Sequence, residues 1–208
     1  YMTIISLTTV GYEETVDLNG NIPARIFTMI LLIGGAGVTV YIASILTAFL
    51  VEGELRHLLW SRRMQQQIKQ LKNHVIIAGG GQTAMYAVKE LQVAGESFVL
   101  IEKSRENFEQ LVAQFPKARI LGVIGDATDD LILQSAGVEC ASGLISALPD
   151  DRDNLFVTIS ARGLNPTIRI IAKIVRQSST RKMRMAGANE VICPDSIGGL
   201  RMASQLVR

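Results

Sequence analysis

"HVIIAGGGQTAMYAVKELQVAGESFVLIEKS", residues 74–104, is the stretch whose reading decides the fold. An apolar run over residues 74–78 stops at three successive glycines, and helical periodicity then continues to about Val93. A second apolar run ends at Glu102. Strand, glycine turn, helix and strand in that order predict a parallel βαβ unit, because two parallel neighbours need a crossover between them. Gly79-Gly80-Gly81-Gln82-Thr83-Ala84 fits the pattern G-x-G-x-x-G/A. Glycines so placed let the backbone turn tightly and approach a pyrophosphate resting on the helix N-terminus. Glu102 follows Gly79 by 23 residues, near the spacing at which a carboxylate accepts ribose hydroxyls. Such an acid favours NAD(H) or an adenine nucleotide with a free ribose and repels a 2′-phosphate.

The alternation continues downstream. Apolar runs at residues 120–124, 143–147, 168–172 and 190–193 predict four more strands. Amphipathic segments at residues 106–114, 129–136, 151–162 and 180–185 separate them. Residues 74–208 are therefore expected to form a six-stranded, doubly wound parallel sheet. The chain is expected to end with that sheet.

Upstream the composition changes. Residues 26–51, "IFTMILLIGGAGVTVYIASILTAFLV", are 26 residues without a formal charge. As a helix rising ~1.5 Å per residue they reach ~39 Å, enough to cross a bilayer core of ~30 Å with some tilt. Glu13, Glu14, Asp17 and a single Arg25 precede the span, whereas Arg56, His57, Arg62, Arg63, Lys69 and Lys72 follow it. The positive side faces the cytoplasm, so everything after about residue 52 is expected there and the chain belongs in a cell (inner) membrane. Gly34, Gly35 and Gly37 interrupt the span and would allow either close helix packing or a bend. Residues 52–73 read as a helical linker. The bulk numbers agree with a composite chain: among 208 residues, 48% are hydrophobic and 19% charged. A net charge of +2 implies no nucleic-acid partner. Two cysteines, Cys140 and Cys193, without CxxC spacing, and two histidines, His57 and His74, argue against a zinc site.

Before the span stands "TTVGYEE", residues 8–14. A non-helical segment at membrane depth is tolerated only where it is packed in protein or lines a watery path. Thr9, Val10, Gly11 and Tyr12 offer successive backbone carbonyls, and Thr9 adds a hydroxyl. Gly11 permits the left-handed conformation that keeps those oxygens on one axis, and such oxygen rings can replace the hydration shell of K⁺.

"SLTTVGYE" resembles the selectivity filter of potassium channels, where TVGYG is usual. The resemblance implies that Thr9, Val10, Gly11 and Tyr12 coordinate K⁺. Residues 1–8 would then be the tail of a pore helix, residues 26–51 the inner helix, and Gly37 its gating hinge. Glu13 replaces the last filter glycine, which alters the outermost site, and Glu13 and Glu14 would form an anionic mouth. A complete pore implies a homotetramer in the lipid bilayer, so residues 1–51 are one pore-domain fragment.

"GDATDDLILQSAGV", "DDRDNLFVTISARGLNP" and "KMRMAGANEVICP" resemble the regulator-of-K⁺-conductance (RCK) domain, also called TrkA-N or KTN. This is a Rossmann-like fold, and the arrangement resembles prokaryotic ligand-gated channels. The resemblance places Asp126 near the adenosine end of a bound nucleotide, with Lys103 and Ala127 beside the site, and implies that RCK domains pair into a ring. It also puts Ala147, Lys173 and Val175 where calcium-activated members carry acids. Because Ca²⁺ needs several oxygen ligands, a nucleotide rather than calcium is expected to be the regulator. No proton donor or substrate domain accompanies the fold, so no enzyme is expected. The alternative is the KTN regulatory module of a Trk/Ktr-type transporter or a K⁺ efflux antiporter.

Overall fold

The computed structural model describes residues 22–51, 54–116 and 118–207. The chain divides into two compact units, residues 1–59 and 60–208.

In the first unit, α1 (Ile22–Val51) is an unbroken thirty-residue helix. It starts four residues earlier than the apolar run suggests, because Pro23 falls in the first turn, where the missing N–H has no helical partner to lose. Ile26, Phe27, Ile30, Ile33, Tyr41 and Leu46 are all exposed, and residues Ile26–Thr47 are long and apolar enough to cross a membrane. The hydroxyls of Thr39, Ser44 and Thr47 donate to the carbonyls of Gly35, Val40 and Ala43 at 2.8, 2.9 and 2.8 Å. Back-bonding of this kind lets these three polar side chains sit in an apolar medium without water. A Cβ at Gly34 or Gly37 would meet nothing within 4 Å. Thr9, Val10, Gly11 and Tyr12 lie outside the described residues.

α2 (Glu54–Ile68) begins in the first unit and runs into the second, where it leads into a parallel sheet of six strands in the order β3-β2-β1-β4-β5-β6. The strands are β1 (Val75–Ala78), β2 (Phe98–Glu102), β3 (Leu121–Ile124), β4 (Gly143–Ser146), β5 (Arg169–Lys173) and β6 (Glu190–Ile192). The helices between them are α3 (Gln82–Ala94), α4 (Arg105–Gln114), α5 (Asp130–Ser135), α6 (Asp151–Leu164) and α7 (Thr180–Met185). Every expected strand and helix of the sheet is present, each within two residues of the expected ends.

Side chains alternate across the sheet because the strand period is two. Ile77, Phe98 and Leu100 face α3 and α4, where Ala84, Val88, Phe108 and Leu111 complete one apolar layer. Ile76, Val99 and Ile101 face the other side, with Leu133 of α5, Val157 of α6 and Met183 of α7. Ile68, the last residue of α2, is 2% exposed in that second layer, so the linker helix is anchored in the domain by its C-terminal end. The chain then turns at Asn73, whose φ of 57° lies in the left-handed region that asparagine tolerates better than most residues.

The expectation that the chain ends with the sheet is corrected by α8 (Pro194–Leu206), a helix that follows β6. Pro194 at its start and Asp195 in its first turn are both N-terminal signals. Its apolar residues Ile197, Leu200, Met202 and Leu206 are exposed, so no buried stripe marked it as part of the sheet's core.

Candidate functional site

In this order the chain leaves β1 for β2 on one side and returns to β4 on the other, so a crevice opens beyond the C-terminal ends of β1 and β4. Gly79 occupies the turn. Its N–H donates to the Ile101 carbonyl at 2.8 Å, and on the other side the Ala147 N–H donates to the Ala78 carbonyl at 2.8 Å. The Gly79 φ is +100°, and a Cβ there would stand 3.1 Å from the Ala147 oxygen. Conformation and space both require glycine at this point. Gly81 caps α3 in an extended conformation with no side-chain hydrogen bond, which leaves the first-turn N–H groups directed at whatever fills the crevice. Ala84, the last position of the glycine pattern, is fully buried and allows α3 to lie close against the sheet.

The crevice is a cleft of about 740 Å³, within the usual range for a small-molecule site. It gathers all the residues expected from the sequence: Gly79, Gly80, Gly81, Gln82, Thr83, Glu102, Lys103, Asp126 and Ala127. Glu102, at the end of β2, is held by two backbone donors. The Gly80 N–H donates to Oε2 at 2.5 Å and the Ser104 N–H to Oε1 at 2.9 Å. A carboxylate has about four lone-pair positions, so each oxygen keeps capacity for a further donor. Lys103 points instead to Asp126, with Nζ 2.8 Å from Oδ2. The Lys103 ammonium, with the hydroxyl and N–H of Thr128, holds the Asp126 carboxyl at about 2, below its ordinary 3.8. The partner carboxylate in turn raises the Lys103 amine.

These residues fit an adenine nucleotide. The turn at Gly79 and Gly80 would be obstructed by a Cβ, the α3 N–H groups suit a phosphate, and Glu102 is a pre-aligned acceptor for hydroxyls. The same acid would repel a 2′-phosphate on any ribose that it held.

Sequence reading missed the residue that shapes the far wall. Asn154 on α6 is fully buried. Its Oδ1 accepts from Ser146 Oγ at 2.6 Å and from the Leu148 N–H at 2.9 Å, while its Nδ2 donates to the Leu148 carbonyl at 3.0 Å. Asn154 thereby clamps the loop of Ala147, Leu148 and Pro149 that walls the cleft. A signal was available: Asn154 shares the buried stripe of Val157, Thr158 and Ala161, and asparagine is a poor helix former at an apolar position. Asn154→Leu should cost about 3 kcal/mol, since two donors and an acceptor lose a buried partner. The urea midpoint of the full chain checks this.

A second clamp lies beside it. Asp151 at the start of α6 accepts from the N–H groups of Val175 and Arg176 at 2.6 and 3.1 Å and from Ser179 Oγ at 2.6 Å. Burial pushes this carboxyl up, but the Ser179, Val175 and Arg176 hydrogen bonds outweigh it, and the net direction is down. The loop after β5 is thus tied to α6.

Residues 75–194 match the TrkA-N domain family, and residues 1–52 match the family described as Ion channel. A relative from Methanocaldococcus jannaschii named "Probable potassium channel protein 2" is 35% identical over 208 residues, covering all of this chain. The chain spans 60% of the length of that relative. Among solved structures, the TrkA-N domain of the inner membrane protein YbaL from Escherichia coli is 28% identical with a TM-score of 0.60. That match covers 66% of this chain and 98% of the YbaL domain. A structure of GsuK bound to ADP aligns with 93% of this chain and 50% of its own at a TM-score of 0.53. At 22% identity the GsuK likeness is one of fold.

Proposed function

The chain belongs to the TrkA-N domain family, and from that premise we propose that it is part of a potassium-selective channel subunit gated by a nucleotide in the cleft. The observation that carries this reading is the convergence of the Gly79–Gly81 turn, the α3 N-terminus without a side-chain cap and the Glu102 carboxylate in one crevice, on a chain that also has a membrane-length helix. The M. jannaschii relative, similar through both the span and the sheet, supports the same assignment.

In this reading Thr9, Val10, Gly11 and Tyr12 coordinate permeant K⁺ in a homotetramer, and Gly37 is the point at which the inner helix bends. The domains pair into a ring on the cytoplasmic side of a cell membrane. Glu102 orients the ligand through its ribose hydroxyls, and the α3 N–H groups hold its first phosphates. The bound nucleotide supplies anionic charge and cross-links β1, β2 and β4. It can shift the channel only by binding one ring shape more tightly than another. Ile68, buried in the sheet's second layer, is the anchor through which such a change is transmitted to α2.

The test is K⁺ flux into vesicles holding the full-length parent, with and without NADH, ADP or ATP. A nucleotide-dependent K⁺ flux that excludes Na⁺ is expected. Glu102→Ala should raise the half-maximal nucleotide concentration by about tenfold, the value of one charge-assisted hydrogen bond, and leave ion selectivity intact. An unchanged nucleotide response would remove Glu102 from the mechanism. The second reading, a regulatory module serving a separate transporter, is favoured by the likeness to the YbaL domain. It predicts nucleotide binding with no K⁺ flux of the chain's own.

A further inference from the structure

Lys173 ends β5 and lines the cleft on the far side of the glycine turn from Glu102. Its side chain is half-buried, and no side-chain hydrogen bond or ion pair engages it among the described residues. Three of the other charged side chains of the cleft are committed. Lys103 is paired with Asp126, and Glu102 is held by the Gly80 and Ser104 N–H groups. Asp153, which lines the same cleft, forms no ion pair among the described residues. Lys173 is the cation of the cleft left without a carboxylate partner among the described residues.

A nucleotide with its ribose on Glu102 and its first phosphate on α3 extends its remaining groups past Ala147, Leu148 and Pro149, toward β5. Those groups are further phosphates in ADP and ATP, nothing in AMP, and in NAD⁺ a single further phosphate followed by a second ribose and a cationic ring. We infer that Lys173 is the specificity residue of this cleft, reading phosphates beyond the first, so that its ligand class is the adenine nucleoside polyphosphates. The inference rests on the nucleotide reading above and narrows it. Two features make the position suitable. The Asn154 clamp holds the intervening loop, and the Asp151 clamp holds the residues immediately after β5, so the amine sits on a fixed base. A half-buried ammonium is also screened less by salt than one on the open surface.

The experiment is calorimetric titration of the detergent-solubilised full chain with AMP, ADP, ATP and NAD⁺. Affinity is expected to rise from AMP to ATP, with NAD⁺ weaker than ATP. Lys173→Ala should weaken ATP about tenfold or more, as loss of an ammonium–phosphate contact does, and change AMP less than about twofold. Lys173→Arg, which keeps the charge, should retain the rise and so distinguish charge reading from damage to the fold. If AMP and ATP bind the wild type equally, or Lys173→Ala weakens both alike, the inference is overturned while the nucleotide reading stands. If the wild type binds none of the four, both fall.

Discussion

Gly80→Ala is expected to reduce nucleotide affinity about a hundredfold while leaving the fold nearly as stable as before. An added Cβ would stand 2.7 Å from Glu102 Oε2 and 3.2 Å from the Cγ and Cδ of the same side chain. The obstruction is the mobile end of a carboxylate, so the folded chain relieves it by swinging Glu102 aside. That movement removes the Gly80 N–H bond and takes the acceptor away from the ribose, while the new methyl group occupies the surface a phosphate must approach. The ribose and the phosphate each forfeit a charge-assisted hydrogen bond, and at about tenfold apiece the two multiply to about a hundredfold. Titration with ATP, alongside thermal melting without nucleotide, separates binding from stability. If the melting temperature drops as far as the affinity, Gly80 serves packing rather than binding.

The largest loss of stability from a single added methyl is expected at Gly122→Ala. Gly122 lies within β3, and a Cβ there would fall 2.1 Å from Cε2 and 2.4 Å from Cζ of Phe108. Here the neighbour is a rigid ring, 4% exposed, packed between α4 and the sheet. It has no free end to move. Overpacking of this kind costs about 1–3 kcal/mol or more, and the urea midpoint should fall accordingly. Gly143→Ala is the control, because a Cβ on that strand glycine would come no nearer than 3.6 Å to the Arg169 oxygen. Phe108→Leu introduced together with Gly122→Ala should recover part of the loss, since residues in contact do not behave additively. Equal midpoints for the Gly122 and Gly143 variants would show that the layer between α4 and β3 can yield.

The two substitutions differ because one glycine faces the movable end of a carboxylate and the other a packed ring, and sequence pattern distinguishes them only in part. Gly80 stands in a recognisable turn between a strand and a helix. Gly122 carries no such mark; its neighbour Phe108 is on another element, and their contact exists only once α4 has packed on β3. The same holds for Asn154, whose partners Ser146 and Leu148 are close in the chain but are brought to its amide by the path from β4 into α6.

What the sequence determined by itself was local: the six strands, the helices between them, the membrane-length helix, and the glycine turn with its acid at the end of the next strand. Each is written in hydrophobic period, charge-free length or backbone freedom, which need no distant partner to be read. Tertiary structure alone decided that Glu102 is held by the Gly80 and Ser104 N–H groups, that Lys103 is spent on Asp126, and that Lys173 arrives uncommitted on the opposite wall. The reason is the parallel sheet. It carries the ends of β1, β2, β4 and β5, far apart along the chain, to one edge, where charge pairing depends on which side chains meet there.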